Sequence, residues 1–293
     1  MQPSVSTEEY IDPAIGNIST LLQPTRPVMQ LPNQMIRVYP LRRDYTDDQI
    51  SGFPLNVAGH NDGPVFIIKP STRPLIPEEW YRRQTYDHNL EIIHPWYYST
   101  TLIEDNTKVE FTPGEKTGIY RFTYQDAVKK QLLFMSPVQF TATGEVTGTT
   151  FFHGNVPVFF YGKFSTAIKA GVLSDSLPYA IFTDNKIRSV TLKYGISYVS
   201  ITQAKKNFEQ ELTGKDFSTL KENGQHSWRK ITGQIQVEGG SEAQRRSFYT
   251  ALYRCHERMV NITEDSLYYS GYNKKVNKAS RPFYVDDASW DTW

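Results

Sequence analysis

The feature that most limits what this chain can fold into is the run of residues 96 to 201. Segments rich in β-branched and aromatic residues follow one another there, at 96–103, 107–113, 118–124, 131–134, 145–152, 158–167, 179–183 and 189–201. Turn residues separate them at the spacing of a β-sandwich. Val109 and Phe111 alternate with Lys108, Glu110 and Thr112, and residues 119–124 alternate similarly. This period of two belongs to antiparallel sheet with one buried and one wet face.

Upstream, residues 10–75 are crowded with turn signals, among them Pro13, Gly16, Pro24, Pro27, Pro32, Pro40, Gly52, Gly63 and Pro70. They leave room only for short strands, the clearest at 34–39 and 65–69. At about Ser200 the period lengthens, and helices are expected at 202–212, 216–231 and 241–260, with a break at Thr213 and Gly214. The expected fold is therefore mainly β: a large antiparallel β-sandwich over 1–201, linker α-helices over 202–260, and the start of a further domain over 261–293.

The final residues sharpen that division. Ser289 is a good N-cap and Asp291 would sit in the first turn, where the helix dipole favours a carboxylate. Trp290 and Trp293 would share one face and call for a partner surface. The expectation is the front part of a longer protein; the alternative is a tail that folds back on the body.

Lys and Arg total 32 against 31 Asp and Glu, so a net charge of +1 gives no electrostatic reason to expect nucleic acid or an anionic membrane. The 14% aromatic content suits strands and surfaces that stack on sugars. No stretch approaches the roughly 18 apolar residues of a membrane span, and residues 1–9 lack the basic start and apolar run of a signal peptide. Cys255 is the single cysteine, which excludes an intrachain disulfide. It shares a helical face with Phe248, Leu252 and Met259 and is expected in the core. His256 points about 100° away, which argues against a Cys–His dyad.

P-loop, GxGxxG, HExxH, CxxC and GxSxG patterns are all absent. His60, in the loop Gly59 to Gly63, could touch a ligand, although a plain turn explains it. Asp44, Asp47 and Asp48, and Asp286, Asp287 and Asp291, are carboxylate clusters without the spacing of a calcium loop. Solvated turn or capping roles are expected for them. Asp291 is the exception, because it stands beside Trp290 at the end of a loop.

These residues carry a family resemblance. Residues 237–244 (VEGGSEAQ) and 248–253 (FYTALY) resemble the VEGG(T/S)EEQ…FYTALY signature of glycoside hydrolase family 92, the calcium-dependent exo-acting α-mannosidases. Tyr269 to Tyr272, Lys278 and Ser289 to Thr292 fall on its YRG…K…WDT pattern. Asp12, Pro13, Ile15 and Gly16 are similar to its DPFIG opening. Pro32, Met35 and Pro40, then Tyr45, Asp47, Ile50, Gly52 and Phe53, fit the segments that follow.

The resemblance implies a mutarotase-like supersandwich, linker helices and an (α/α)6 catalytic barrel beginning near Trp290. It implies inverting hydrolysis by two carboxylates that lie beyond Trp293, with most calcium ligands also outside this chain, so that the chain alone is inactive. The chain would supply recognition of the terminal mannose through Asp291 and Trp290. Export to the periplasm or cell surface is implied too. Two departures touch the leaving-group side. Only Leu41 to Asp44 stand where the family carries a tryptophan-bearing insert, and residues 54–57 (PLNV) replace a histidine-containing SHTH. A free-standing carbohydrate-binding sandwich and a non-catalytic scaffold are the alternative readings.

Overall fold

In the strands Thr107–Pro113 and Thr117–Tyr124, alternation puts Val109, Phe111, Tyr120, Phe122 and Tyr124 on one face, each at most 1% exposed. The register, Tyr120 opposite Phe111 and Phe122 opposite Val109, brings these side chains into cross-strand contact. The computed structural model describes residues 6–18, 25–44, 46–58, 63–125, 129–141, 143–152, 156–174 and 176–286.

These two strands are central in an eight-stranded antiparallel sheet. Its order is Val138–Phe140, Glu145–Phe152, Val156–Phe164, Ser189–Ser197, Thr117–Tyr124, Thr107–Pro113, Tyr97–Leu102, Ile92–His94. A five-stranded antiparallel sheet faces it, in the order Ile168–Leu173, Leu177–Phe182, Gln131–Phe134, Pro64–Ser71, Phe53–Val57. The main core fills the space between them. Two tyrosines of the large sheet cross that space to the small one. The Tyr120 hydroxyl donates to the Pro54 carbonyl and the Tyr194 hydroxyl to the Leu55 carbonyl, both at 2.6 Å. A buried phenol without a partner costs about 1–3 kcal/mol, so these bonds hold the two sheets in one relative position. A short helix, α1 (Pro77–Tyr81), ties itself to the small sheet through the Trp80 indole N–H and the Phe134 carbonyl.

The strand-to-helix change falls between Ser197 and Ile201. Helices α2 (Ile201–Leu212), α3 (Phe217–Thr232) and α4 (Glu242–Cys255) each begin at a capping side chain, respectively Ser200, Asp216 and Ser241. At α4 the Gln244 side chain reciprocates, completing a capping box. Helix α2 lies so close to the large sheet that a Cβ on Gly195 would stand 2.4 Å from the Ala204 carbonyl oxygen. Helices α3 and α4 build a second core on the outer face of that sheet, with Trp96, Tyr97 and Ile119 against Phe217, Trp228, Tyr249 and Tyr253.

Several elements differ from expectation. The strand expected at 34–39 contracts to Arg37–Val38, paired with Met29–Gln30. The strand expected at 158–167 is Val156–Phe164, and a further strand, Ile168–Leu173, follows it unforeseen. Helix α4 ends at Cys255, not Val260, because the chain turns through Met259 (φ +53°) into the short strand Val260–Asn261. Cys255 is exposed, correcting its expected place in the core. The buried face of α4 is instead that of Tyr249 and Tyr253, whose hydroxyls reach the Ile235 and Val28 carbonyls. Beyond α4 the polar stretch forms the hairpin Leu267–Ser270 with Lys275–Lys278, and Val260–Asn261 pairs with Tyr284–Val285. Among the described residues no helix is long and apolar enough to cross a membrane.

Candidate functional site

The strand Phe53–Val57, the adjoining ends of the strands Glu145–Phe152 and Val156–Phe164, and the short strands after α4 converge on one cavity of about 200 Å³. Val57, Val156, Val260, Ile262 and Val285 give it apolar walls, Phe152, Tyr198 and Tyr269 add aromatic surface, and Arg37 and Asp286 supply charge.

Two of the polar wall residues, Arg37 and Tyr198, are held from behind. The Arg37 guanidinium is 3% exposed and donates to the Glu257 carbonyl at 2.8 Å and the Gln30 side chain at 3.4 Å. Its backbone N–H donates to Asn56 Oδ1 at 3.0 Å, and the Asn56 amide donates to the Tyr198 hydroxyl at 3.4 Å. The Tyr198 backbone N–H is received by Glu264 Oε1 at 2.8 Å, and Glu264 Oε2 accepts from Asn207 of α2 at 2.7 Å. Glu264 thereby links the end of the large sheet, α2 and the segment after α4. Burial pushes its carboxyl above the usual range, against the hydrogen bonds from Ser197, Tyr198 and Asn207.

The three residues singled out in the sequence, His60, Trp290 and Asp291, lie outside the described residues. Among the described residues, Ala58 and Asp286 both line this cavity. Arg37 and Tyr198 were missed in the sequence. The only available signal was a charged residue inside a short apolar strand, and a tyrosine at the end of a long one.

Asp286 is the one carboxylate among the described lining residues. Inverting glycoside hydrolysis needs two carboxyl groups, about 6.5–9.5 Å apart. Apolar walls, aromatic surface and anchored polar groups equip the cavity to hold a ligand. Nor do the described residues fit calcium, since no three His, Cys, Asp or Glu side chains among them are grouped to hold a metal ion. The Asp44–Asp48 cluster does other work. Asp44 accepts from Thr46, while Asp47 pairs with Arg83 and accepts from the Arg43 amide.

Comparison with known proteins gives the following. The profile of the glycosyl hydrolase family 92 N-terminal domain matches residues 10–197, and that of the family 92 catalytic domain matches residues 203–293. No curated protein matches by sequence. A family 92 inverting mannosidase of Bacteroides thetaiotaomicron superposes with a TM-score of 0.88 at 22% identity, over 100% of this chain and 45% of that one. A second family 92 α-mannosidase of that organism, solved with mannoimidazole, superposes at 0.88 and 22% identity, over 98% of this chain and 45% of the other. The chain thus spans less than half the length of these structures.

Proposed function

The chain belongs to glycosyl hydrolase family 92, and from that premise we propose that it is the N-terminal module of a glycosidase that releases mannose from α-linked glycans by inversion. Its part is to complete the sugar-binding pocket, while the acid and base lie beyond residue 293. The observation that carries this reading is the cavity walled by Phe152, Tyr198 and Tyr269, with Arg37 and Asp286 as its charged groups. Asp291 accepts hydrogen bonds from mannose hydroxyls, and Trp290 and His60 line the sugar.

Exposed apolar side chains supply the second support. Phe248, Met259, Phe283, Tyr284 and Val285 are 37–59% exposed and Tyr272 is fully so, all on α4 or the segment after it. Apolar surface gathered in this way suits coverage by the rest of an (α/α)6 domain. We assign no calcium ligand to the described residues. The calcium requirement of the family would be met elsewhere in the protein, and a periplasmic or cell-surface location would bring it to its glycans.

The test is the Asp291→Ala variant of the full-length protein, assayed for mannose release from α-mannosides. Losing a charged acceptor of sugar hydroxyls lowers kcat/KM by about ten- to a hundredfold, with the melting temperature unchanged. Wild-type turnover in a properly folded variant would overturn the recognition role.

A further inference from the structure

A larger cavity than the Arg37–Asp286 one lies elsewhere, at the open edge of the sandwich. Its volume is about 890 Å³, and it lies between the edge strand Val138–Phe140 of the large sheet and the edge strand Ile168–Leu173 of the small one.

The register explains why it is there. Ile168, Ala170 and Val172 stand opposite Phe182, Ala180 and Pro178, so all six side chains share the inward face of the small sheet. Ala180 is 0% and Phe182 3% exposed, yet Val172 is 53% exposed. The inner face of the outermost strand therefore extends past the three-residue edge strand opposite it. Small residues, Gly144, Ala167 and Ala170, leave the space unfilled.

The chemistry of the wall is selective. No described lining residue is charged, in a chain that is 22% charged. The floor is apolar, from Ile168, Val172 and the rings of Phe140 and Phe164. The rim is hydroxyl and amide. Ser165 Oγ accepts from the Thr191 N–H at 2.9 Å, which leaves its proton to donate, and the Gln139 amide is exposed. Phosphorylated or carboxylated ligands want cations, which this wall lacks. A peptide strand added to Ile168–Leu173 would bond in the plane of the sheet, whereas the cavity opens on its face. A pyranose offers an apolar C–H face and a ring of uncharged hydroxyls, matching floor and rim, and a volume of this size is ordinary for a small-ligand site.

We propose that this cavity is a second glycan-binding site, which takes one or two units of a neutral oligosaccharide. It shares no lining residue with the Arg37–Asp286 cavity. The two occupy opposite ends of the hairpin built on Glu145–Phe152, about 25 Å apart along eight residues of strand. The site thus holds a neighbouring part of a polysaccharide, or a separate chain, and keeps the protein on its substrate. The inference rests on this cavity's own chemistry and does not require mannoside turnover.

The experiment is native affinity electrophoresis of the full-length protein through gels containing a neutral polysaccharide, with mannan, galactomannan and β-glucan run in parallel. Retardation by at least one of them is expected. Ala170→Trp, which fills the cavity from an exposed position, abolishes it while hydrolysis of a small aryl mannoside stays at the wild-type rate. Gln139→Ala weakens binding about three- to tenfold, as loss of a neutral hydrogen bond would. Circular dichroism confirms that both variants are folded. Absence of retardation on every polysaccharide, or equal retardation of wild type and Ala170→Trp, overturns the proposal. Retardation lost in Ala170→Trp, in a protein without mannosidase activity, would sustain this site and overturn the proposed function instead.

Discussion

The sandwich and the stretch after Ser200 solve the burial problem in opposite ways. Between the two sheets, large side chains such as Phe53, Phe66, Tyr120 and Tyr194 are at most 1% exposed, and tyrosine-to-carbonyl bonds link the layers. Helices α3 and α4 bury Trp228, Tyr249 and Tyr253 inward but leave Phe248 facing out, and Met259 in the turn after α4 is exposed too. The hairpins after α4 are barely covered. The contrast teaches that the sandwich is complete as a folding layer, while the helical stretch is complete on one face and offers the other for packing.

The largest effect that can break this comparison is expected from Phe122→Ala, which empties a fully buried position. A loss of about 3–5 kcal/mol is expected, read as a lower midpoint in chemical unfolding. Gly195→Ala comes next. Its new Cβ would meet the Ala204 carbonyl at 2.4 Å, forcing α2 off the sheet at a cost of about 1–3 kcal/mol, measurable by the same unfolding curve.

A smaller effect is expected with pH. Glu110 is buried, which alone would raise its carboxyl, but hydrogen bonds from Arg121 and Tyr97 and the Arg121 charge outweigh this and hold it at about 2. A folded value below the unfolded one adds stability that is present above about pH 4.5 and is lost as pH falls towards 2. Thermal unfolding between pH 6 and 2.5 should show that loss in wild type and a flatter profile in Glu110→Gln. The smallest effect sharpens the other side. Phe248→Ala, on the outward face of α4, should change the stability of this chain alone by no more than about 0.5 kcal/mol.

Much of the sandwich was legible because alternation at 108–112 and 119–124 reports which face is buried. The strand Ile168–Leu173 was not, since Lys169, Ala170 and Gly171 carry little β-propensity and its partner Leu177–Phe182 defines it. The apolar stripe Phe248–Leu252–Cys255–Met259 misled for a physical reason. Tyr249 and Tyr253, one position along, have apolar rings and polar tips that find backbone carbonyls, so they took the inward face. As for the site, His60, Trp290 and Asp291 lie outside the described residues, whereas Arg37, Asn56, Tyr198 and Glu264 meet only through the fold.

The central claim is that this chain serves an inverting α-mannosidase, and the most direct measurement follows the anomer that the full-length protein releases. Proton NMR of a fresh reaction with an α-linked mannoside should show β-mannose first, followed by slow mutarotation, and chelation of calcium should stop the release. The α-anomer appearing first, or no mannose from any α-mannoside, would contradict the account.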